Sequence, residues 1–155
     1  MLSIPQFGCV WFQLNDTELY SLSNLDDIAF DWIEQAINGL STDNPFCVKG
    51  NLEPWNFLCV VSYYNCHVIC EDNSNRKYES KDLYRDLSHT SMIDFCQELH
   101  DDVKNSLEAW VDWLSHGNQD PEQRNGRRTK LEKKLNQLQE LIDIKREKGF
   151  GMKCY

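Results

Sequence analysis

Apolar runs long enough to cross a membrane are missing from this 155-residue sequence, and no charged-then-apolar signal peptide opens it. Internal repeats and low-complexity tracts are missing as well. These absences argue against a transmembrane or secreted protein, so we expect a cytoplasmic one. A hydrophobic content of 41% and five tryptophans suit one ordinary domain with a real core, alone or with an appendage.

Motifs of common enzyme families are also missing. The sequence has no glycine-rich phosphate loop and no Gly-x-Ser-x-Gly nucleophile elbow. Histidine occurs four times, at His67, His89, His100 and His116. His100-Asp101 could be the central pair of a helical metal-dependent phosphohydrolase, but that chemistry needs further ligands from other helices. We therefore predict that both residues are solvent-exposed.

The seven cysteines are an odd number in a chain without a secretion signal, which favours reduced thiols over a disulfide framework. Cys59, Cys66, His67 and Cys70 suggest a metal site only superficially. No second ligand pair lies at zinc-like spacing, and strand alternation places His67 on the face opposite Cys66 and Cys70. The sequence predicts no metal and no cofactor.

The strongest periodic pattern covers residues 91–114. Seven apolar side chains recur there at steps of three and four, which indicates one face of a helix: Met92, Cys96, Leu99, Val103, Leu107, Trp110 and Leu114. Ser91 is one of several possible N-caps, and Gly117 lies where the helix would end. The other faces are acidic, so we predict a core-packing helix with an acidic exterior.

The remaining patterns predict an α+β fold: an antiparallel sheet with helices packed on one face, plus a C-terminal helix after a polar linker. The domain prediction is a body over 1–117, a linker over 118–128, a helix over 129–148 and a frayed tail over 149–155. Within the body we predict strands over 7–14, 46–49 and 77–80, a hairpin over 57–70, a helix over 25–38 ended by Gly39, a short pairing over 19–22 and a helical turn over 82–86.

Charge is divided unevenly along the chain. Residues 1–116 hold 19 acids and 6 bases, a net charge of −13, whereas residues 117–155 hold 6 acids and 10 bases, a net charge of +4. The body should repel nucleic acid and attract a basic partner. The basic segment could fold back on the body or reach another molecule.

A family resemblance rests on residues 44–114. The stretch FCVKGNLEPWNF over 46–57 leads into the strand LCVV, and a long acidic helix ending in AWVDW follows. This layout resembles small acidic immunity proteins encoded beside bacterial polymorphic toxins, including those of contact-dependent growth inhibition. The resemblance implies a cytoplasmic, non-enzymatic inhibitor that binds one basic toxin domain, with no catalytic residue to carry over.

Such an inhibitor would associate through acidic charge and hold its partner by a few buried anchors. Trp110 lies on the apolar stripe and should be core, so Trp113, one position off it, is the better exposed anchor; Tyr84 is another candidate. The predicted partner-binding residues are Glu98, Asp101, Asp102, Glu108, Asp112, Trp113, Asp82, Asp86 and Trp55. A plain solvated acidic surface is the competing interpretation.

Three alternatives stay open. One is a phage or mobile-element protein that inhibits a host nuclease by the same charge mimicry. Another is a small hydrolase whose site forms only in the fold and gathers at least two of Cys66, His67, Cys70, His89 and His100 in a concave pocket. The third is a homo-oligomeric scaffold assembled through helix 129–148. The sequence does not predict an oligomeric state.

Overall fold

The computed structural model of the chain describes residues 1–72, 83–114 and 120–150. The described elements, in chain order, are β1 Cys9–Phe12, β2 Tyr20–Ser23, α1 Ile28–Thr42, β3 Phe46–Asn51, β4 Trp55–Val61, β5 Cys66–Asp72, β6 Leu83–Ser88, α2 Met92–Asn105, α3 Leu107–Val111 and α4 Pro121–Glu147. The predicted α+β class is confirmed. None of the described helices is long and apolar enough to cross a membrane.

Two antiparallel sheets form the β structure. One is the β1–β2 pair, and the other has four strands in the order β3-β4-β5-β6. The predicted hairpin over 57–70 is confirmed as β4 and β5, whose register pairs Val61 with Cys66. The predicted pairing over 19–22 is confirmed as β2, which pairs with β1.

The core lies between the four-stranded sheet and the elements that cover one of its faces. Phe12 of β1 meets Phe57 of β4 with ring centroids 5.1 Å apart, and Trp32 of α1 stacks on Phe57 at 6.0 Å. Phe95 of α2 packs edge-on against Phe46 of β3 at 5.9 Å. The β1–β2 pair, α1 and α2 therefore form the second layer of the domain.

α4 forms a third layer across α1 and α2. Its apolar stripe is buried against them, as expected of a helix that needs a partner surface: Leu131, Leu135, Leu138 and Ile142. The helix begins at Pro121, within the stretch predicted to be a linker. Proline fits the first helical position, where its missing N–H has no intrahelical role, and Gly126 lies exposed inside the helix with no neighbour to meet.

α1 also differs from its prediction at both ends. It begins after Asp27 and not after Asn24, and it passes through Gly39 to end at Thr42. Gly39 is required by packing, because a Cβ there would lie 2.3 Å from Cδ1 of Phe46. The left-handed residue that ends the helix is Asp43, with a φ of +55°.

The helix predicted over 91–114 is present but interrupted. The side chain of Ser91 accepts from the backbone N–H of Asp94, so the predicted N-cap is confirmed. Ser106 breaks the helix into α2 and α3. The helical turn predicted over 82–86 is a strand instead, because residues 83–88 pair with β5 as β6. Gly117 and the strand predicted over 77–80 lie outside the described residues.

Candidate functional site

Two acids that the sequence predicted for partner binding, Glu108 of α3 and Asp112 at its end, form ion pairs with α4. Arg124 donates to Glu108 at 2.6 Å and to Asp112 at 2.7 Å, and Arg128 also pairs with Glu108. The basic segment thus folds back on the acidic body, one of the two outcomes that the charge distribution predicted. This end of the acidic surface is largely neutralised within the chain.

The three predicted acids of α2 keep more of their charge available. Asp102 accepts the backbone N–H of Leu2 at 2.8 Å, and its carboxylate lies 3.4 Å from the amino group of Met1. Glu98 lies 3.5 Å from the same amino group and is 41% exposed. Asp101 is exposed and accepts from Gln97. One terminal amino group therefore faces two of these carboxylates.

His100 is buried, which corrects the prediction that it lies exposed on the acidic face. Its ring is 3% exposed, and Nδ1 lies 2.8 Å from a carboxylate oxygen of Asp101. Among the residues that the structure describes, no group of three His, Cys, Asp or Glu side chains could hold a metal ion. The pair is a local hydrogen bond on α2 in this structure.

Two of the remaining predicted residues, Asp86 and Trp55, lie on the four-stranded sheet. Asp86 is half-buried and accepts from the hydroxyl of Tyr20 at 2.9 Å and from the backbone N–H of Glu18 at 2.8 Å. Burial, with the Asp86 carboxylate beside it, raises the pKa of Tyr20 well above its usual value. Trp55 is half-buried on β4, and Asp82 lies outside the described residues.

Trp113 is not an exposed anchor. Its side chain is 5% exposed, and its indole Nε1–H donates to the backbone carbonyl of Asp26 at 2.8 Å. Its ring lies 5.4 Å from that of Trp110, which is fully buried as predicted. The helical stripe did not reveal this contact because the Asp26 carbonyl comes from the loop before α1, far away in sequence.

Exposed apolar side chains group near the N-terminus, and the other candidate anchor, Tyr84, is also exposed, on β6. Ile4, Phe7 and Trp11 are 60%, 100% and 49% exposed, and together with Cys9 they border one shallow cleft. We call Ile4, Phe7 and Trp11 the N-terminal apolar cluster. Exposed aromatics that group together are the surface feature most typical of a protein-binding site.

Phe7 is held in a tight turn. Gln6 and Cys9 exchange two backbone hydrogen bonds of 2.9 Å, and the residues between them, Phe7 and Gly8, have φ values of +51° and +76°. Two positive φ values define a type I′ turn, whose usual sequence is Asn-Gly. A bulky residue with positive φ is a strained choice, and strain of this kind clusters at functional sites. Gly8 is the sequence signal for this turn, but the β-rich pattern over 7–14 predicts one strand instead.

The N-terminal apolar cluster lies beside the acidic helices. Phe7 borders a cleft with Ala109 and Asp112 of the α3 region. Ile4 borders another cleft at the junction of α2 and α3, which includes Glu108. The structure therefore places Phe7 and Ile4 near Asp112 and Glu108, two predicted acids that pair with arginines of α4.

A further cleft lies between α1 and β3. Its wall includes Asp26, Asp31 and Glu34, and Lys49 lies on the β3 side. Partial burial and then the negative charges of Asp27, Asp26 and Glu34 raise the pKa of Asp31. This arrangement is a local concentration of negative charge, partly relieved by Lys134, which pairs with Glu34.

The cysteines of β5 lie on the face of the sheet opposite His67. Cys66 and Cys70 are buried while His67 is exposed on the opposite face, as strand alternation predicted. All six described cysteines are free thiols. Hydrogen bonding with Cys66 and burial raise the pKa of the Cys59 thiol, which keeps it protonated and a poor nucleophile.

Comparison of the chain with protein-family models, with curated proteins and with solved structures found no match.

Proposed function

We propose that the chain is a non-enzymatic binding protein that inhibits a basic protein partner, with the N-terminal apolar cluster as its anchor. The observation that carries the proposal is Phe7, a fully exposed aromatic side chain at a strained backbone position. A partner that buries Phe7 gains apolar contact, and the acids Glu98 and Asp102 of α2, which contact Met1 and Leu2 of the same N-terminal segment, favour a partner with a basic surface.

The binding partner we propose is a cognate toxin domain of the polymorphic-toxin type, as the family resemblance implies. Such a partner would be a nuclease with a basic surface, and the inhibitor would block its active site or its access to substrate. Glu98, Asp101 and Asp102 are the acids that support this proposal best, because no Lys or Arg side chain of the described chain pairs with them. The pairing of Glu108 and Asp112 with α4 gives them a smaller role.

The expected loss of binding free energy on substitution of Phe7 follows from its exposed apolar area. Burying one Phe side chain fully stabilises a complex by about 1.5–3 kcal/mol. Substitution of Phe7 by Asn should therefore weaken binding by roughly 10-fold to 150-fold. The same substitution suits the type I′ turn, so the free energy of unfolding should stay equal or rise by up to about 1 kcal/mol.

The test measures affinity of the purified chain for the toxin domain encoded by the neighbouring gene, at low and moderate salt. Phe7→Asn should weaken binding at both salt concentrations without loss of stability. A control, Ile144→Gln, changes another exposed apolar residue, on the C-terminal half of α4. The proposal would be wrong if the wild-type chain neither bound nor inhibited the toxin domain.

A further inference from the structure

The outer face of the four-stranded sheet is not covered by any element that the structure describes. Residues alternate along each strand, so those facing away from the core form rows across the sheet. One row is Lys49, Leu58, Ile69 and Arg85, the next is Cys47, Val60, His67 and Leu87, and a third includes Asn51, Asn56 and Glu71. We call the eight residues of the first two rows the outer sheet face.

The apolar content of this face is unusual for a solvated one. A sheet with one face in water normally alternates apolar residues inside with polar residues outside. Here β4 and β5 instead carry Leu58, Val60 and Ile69 on the outer side, and all three are half-buried. Near-continuous apolar strands are typical of sheets covered on both faces, so these strands are suited to a second covering layer.

The cations of this face lie on its two edge strands. Lys49 on one edge strand and Arg85 on the other are both exposed, and His67 lies exposed between them. The acid on the same side of the sheet is Glu71, half-buried on β5 beyond Ile69. Lys49 and Arg85 therefore favour an occupant with acids at both edges, and a second copy of the chain is an outcome that the test distinguishes.

We propose that the outer sheet face binds a partner α-helix whose apolar stripe is bordered by acids on both sides. Lys49 and Arg85 lie in the same row with Leu58 and Ile69 between them. Three strand spacings separate the outer strands, a distance of about 14 Å. A helix is about 10–12 Å across, so one that lies along β4 and β5 places its stripe on Leu58 and Ile69 and its two flanks over the cations.

This surface is distinct from the N-terminal apolar cluster, and its partner has the opposite charge. The acidic helices and the N-terminal apolar cluster select a basic partner, whereas the outer sheet face selects an acidic one. The two proposals therefore fail independently. A toxin that binds at Phe7 leaves Leu58 and Ile69 unchanged, and a helix that binds the sheet leaves Phe7 unchanged.

The test uses a fluorescein-labelled peptide of about 21 residues, long enough to form a helix in water with alanine-rich spacing. Leucines at steps of three and four form its stripe, and glutamates border the stripe on both sides. Fluorescence anisotropy should show saturable binding to the full-length chain. The double substitution Lys49→Glu with Arg85→Glu should weaken binding by about tenfold or more.

Two controls distinguish binding at the outer sheet face from a general effect of net charge. Lys104→Glu with Lys133→Glu makes the same change in net charge at exposed positions on α2 and α4, and it should leave binding within about twofold. A second peptide with lysines in place of the glutamates should prefer the Lys49→Glu, Arg85→Glu variant over the wild-type chain. Circular dichroism checks that each variant is folded.

Three results would overturn the proposal: no saturable binding to the wild-type chain, equal weakening by both double substitutions, or no preference of the lysine peptide for the reversed variant. A dimer of the free chain would also overturn the proposal, if sedimentation shows that the double substitution Leu58→Thr with Ile69→Thr converts that dimer to monomer. That dimer would identify a second copy as the covering layer.

Discussion

Arg127 joins α4 to the body through several polar contacts. Its guanidinium donates to both carboxylate oxygens of Asp27 at 2.7 Å, and its Nε donates to the backbone carbonyl of Val111 at 3.0 Å. The same group lies 4.4 Å from the ring centroid of Phe30. Arg127 and Asp27 are only 16% and 23% exposed, so solvent screens this pair weakly. Arg127→Ala should therefore destabilise the fold strongly.

The expected magnitude follows from these contacts. Removing one partner of a fully buried ion pair costs about 3–5 kcal/mol, and the partial exposure of Asp27 lowers this to about 2–4 kcal/mol. For a chain of this size, that loss lowers Tm by roughly 4–16 °C. Arg127→Lys keeps the charge but loses the two-pronged geometry, so its Tm should lie between those of the wild type and Arg127→Ala.

Urea unfolding followed by circular dichroism, together with calorimetry, measures both quantities. The matched control is Lys134→Ala, which removes the more exposed pair with Glu34 and should cost less than about 1 kcal/mol. A loss for Arg127→Ala of less than about 0.5 kcal/mol, or one equal to that of Lys134→Ala, would contradict this prediction. The pair of Arg127 and Asp27 would then contribute no more to stability than an exposed pair.

Three further substitutions or reactions test local features. Gly39→Ala should destabilise by about 1–3 kcal/mol in urea unfolding, despite the better helix propensity of alanine, because the new Cβ would overlap the ring of Phe46. The pKa of Asp31 is higher in the fold than in the unfolded chain, so ionisation of Asp31 above that pKa lowers the free energy of unfolding. Asp31→Asn should therefore raise the free energy of unfolding by a few tenths of a kcal/mol at pH 7 and leave it unchanged at pH 2. An increase at pH 2 would contradict this cause. Maleimide labelling read by mass spectrometry should modify exposed Cys9 first and leave Cys96 unmodified until the chain unfolds, because burial both shields the Cys96 thiol and raises its pKa.

Periodicity predicted the elements whose apolar pattern is strong. The hairpin over 57–70 and the core position of Trp110 follow from local alternation and from steps of three and four, and both are confirmed. The docking of the C-terminal helix on its own body also follows, because its stripe is too short to be stable alone.

Features that depend on distant contacts were missed. Pro121 and Gly126 are turn signals in isolation, yet arginines that reach acids of the body hold this stretch as helix. Gly39 marks a close approach to β3, a property that no local pattern expresses. Trp113 is buried because one carbonyl from another loop satisfies its indole. The same limit explains why the anchor was sought at Trp113.

Phe7 was missed for a different reason. An aromatic residue at the start of a β-rich stretch is normally a strand residue, and a type I′ turn normally has Asn before Gly. The structure shows a phenylalanine in that place with its whole side chain exposed. A residue that conflicts with its local structure without gaining any contact is the kind of exception that marks function.

Isothermal titration of the chain against the toxin domain encoded by the neighbouring gene tests the central proposal most directly, with wild type and Phe7→Asn compared side by side. We expect Phe7→Asn to unfold at the same or a higher temperature and to bind roughly 10-fold to 150-fold more weakly. Equal affinity of the two chains would contradict the proposal, because the fully exposed Phe7 would then have no part in the interface.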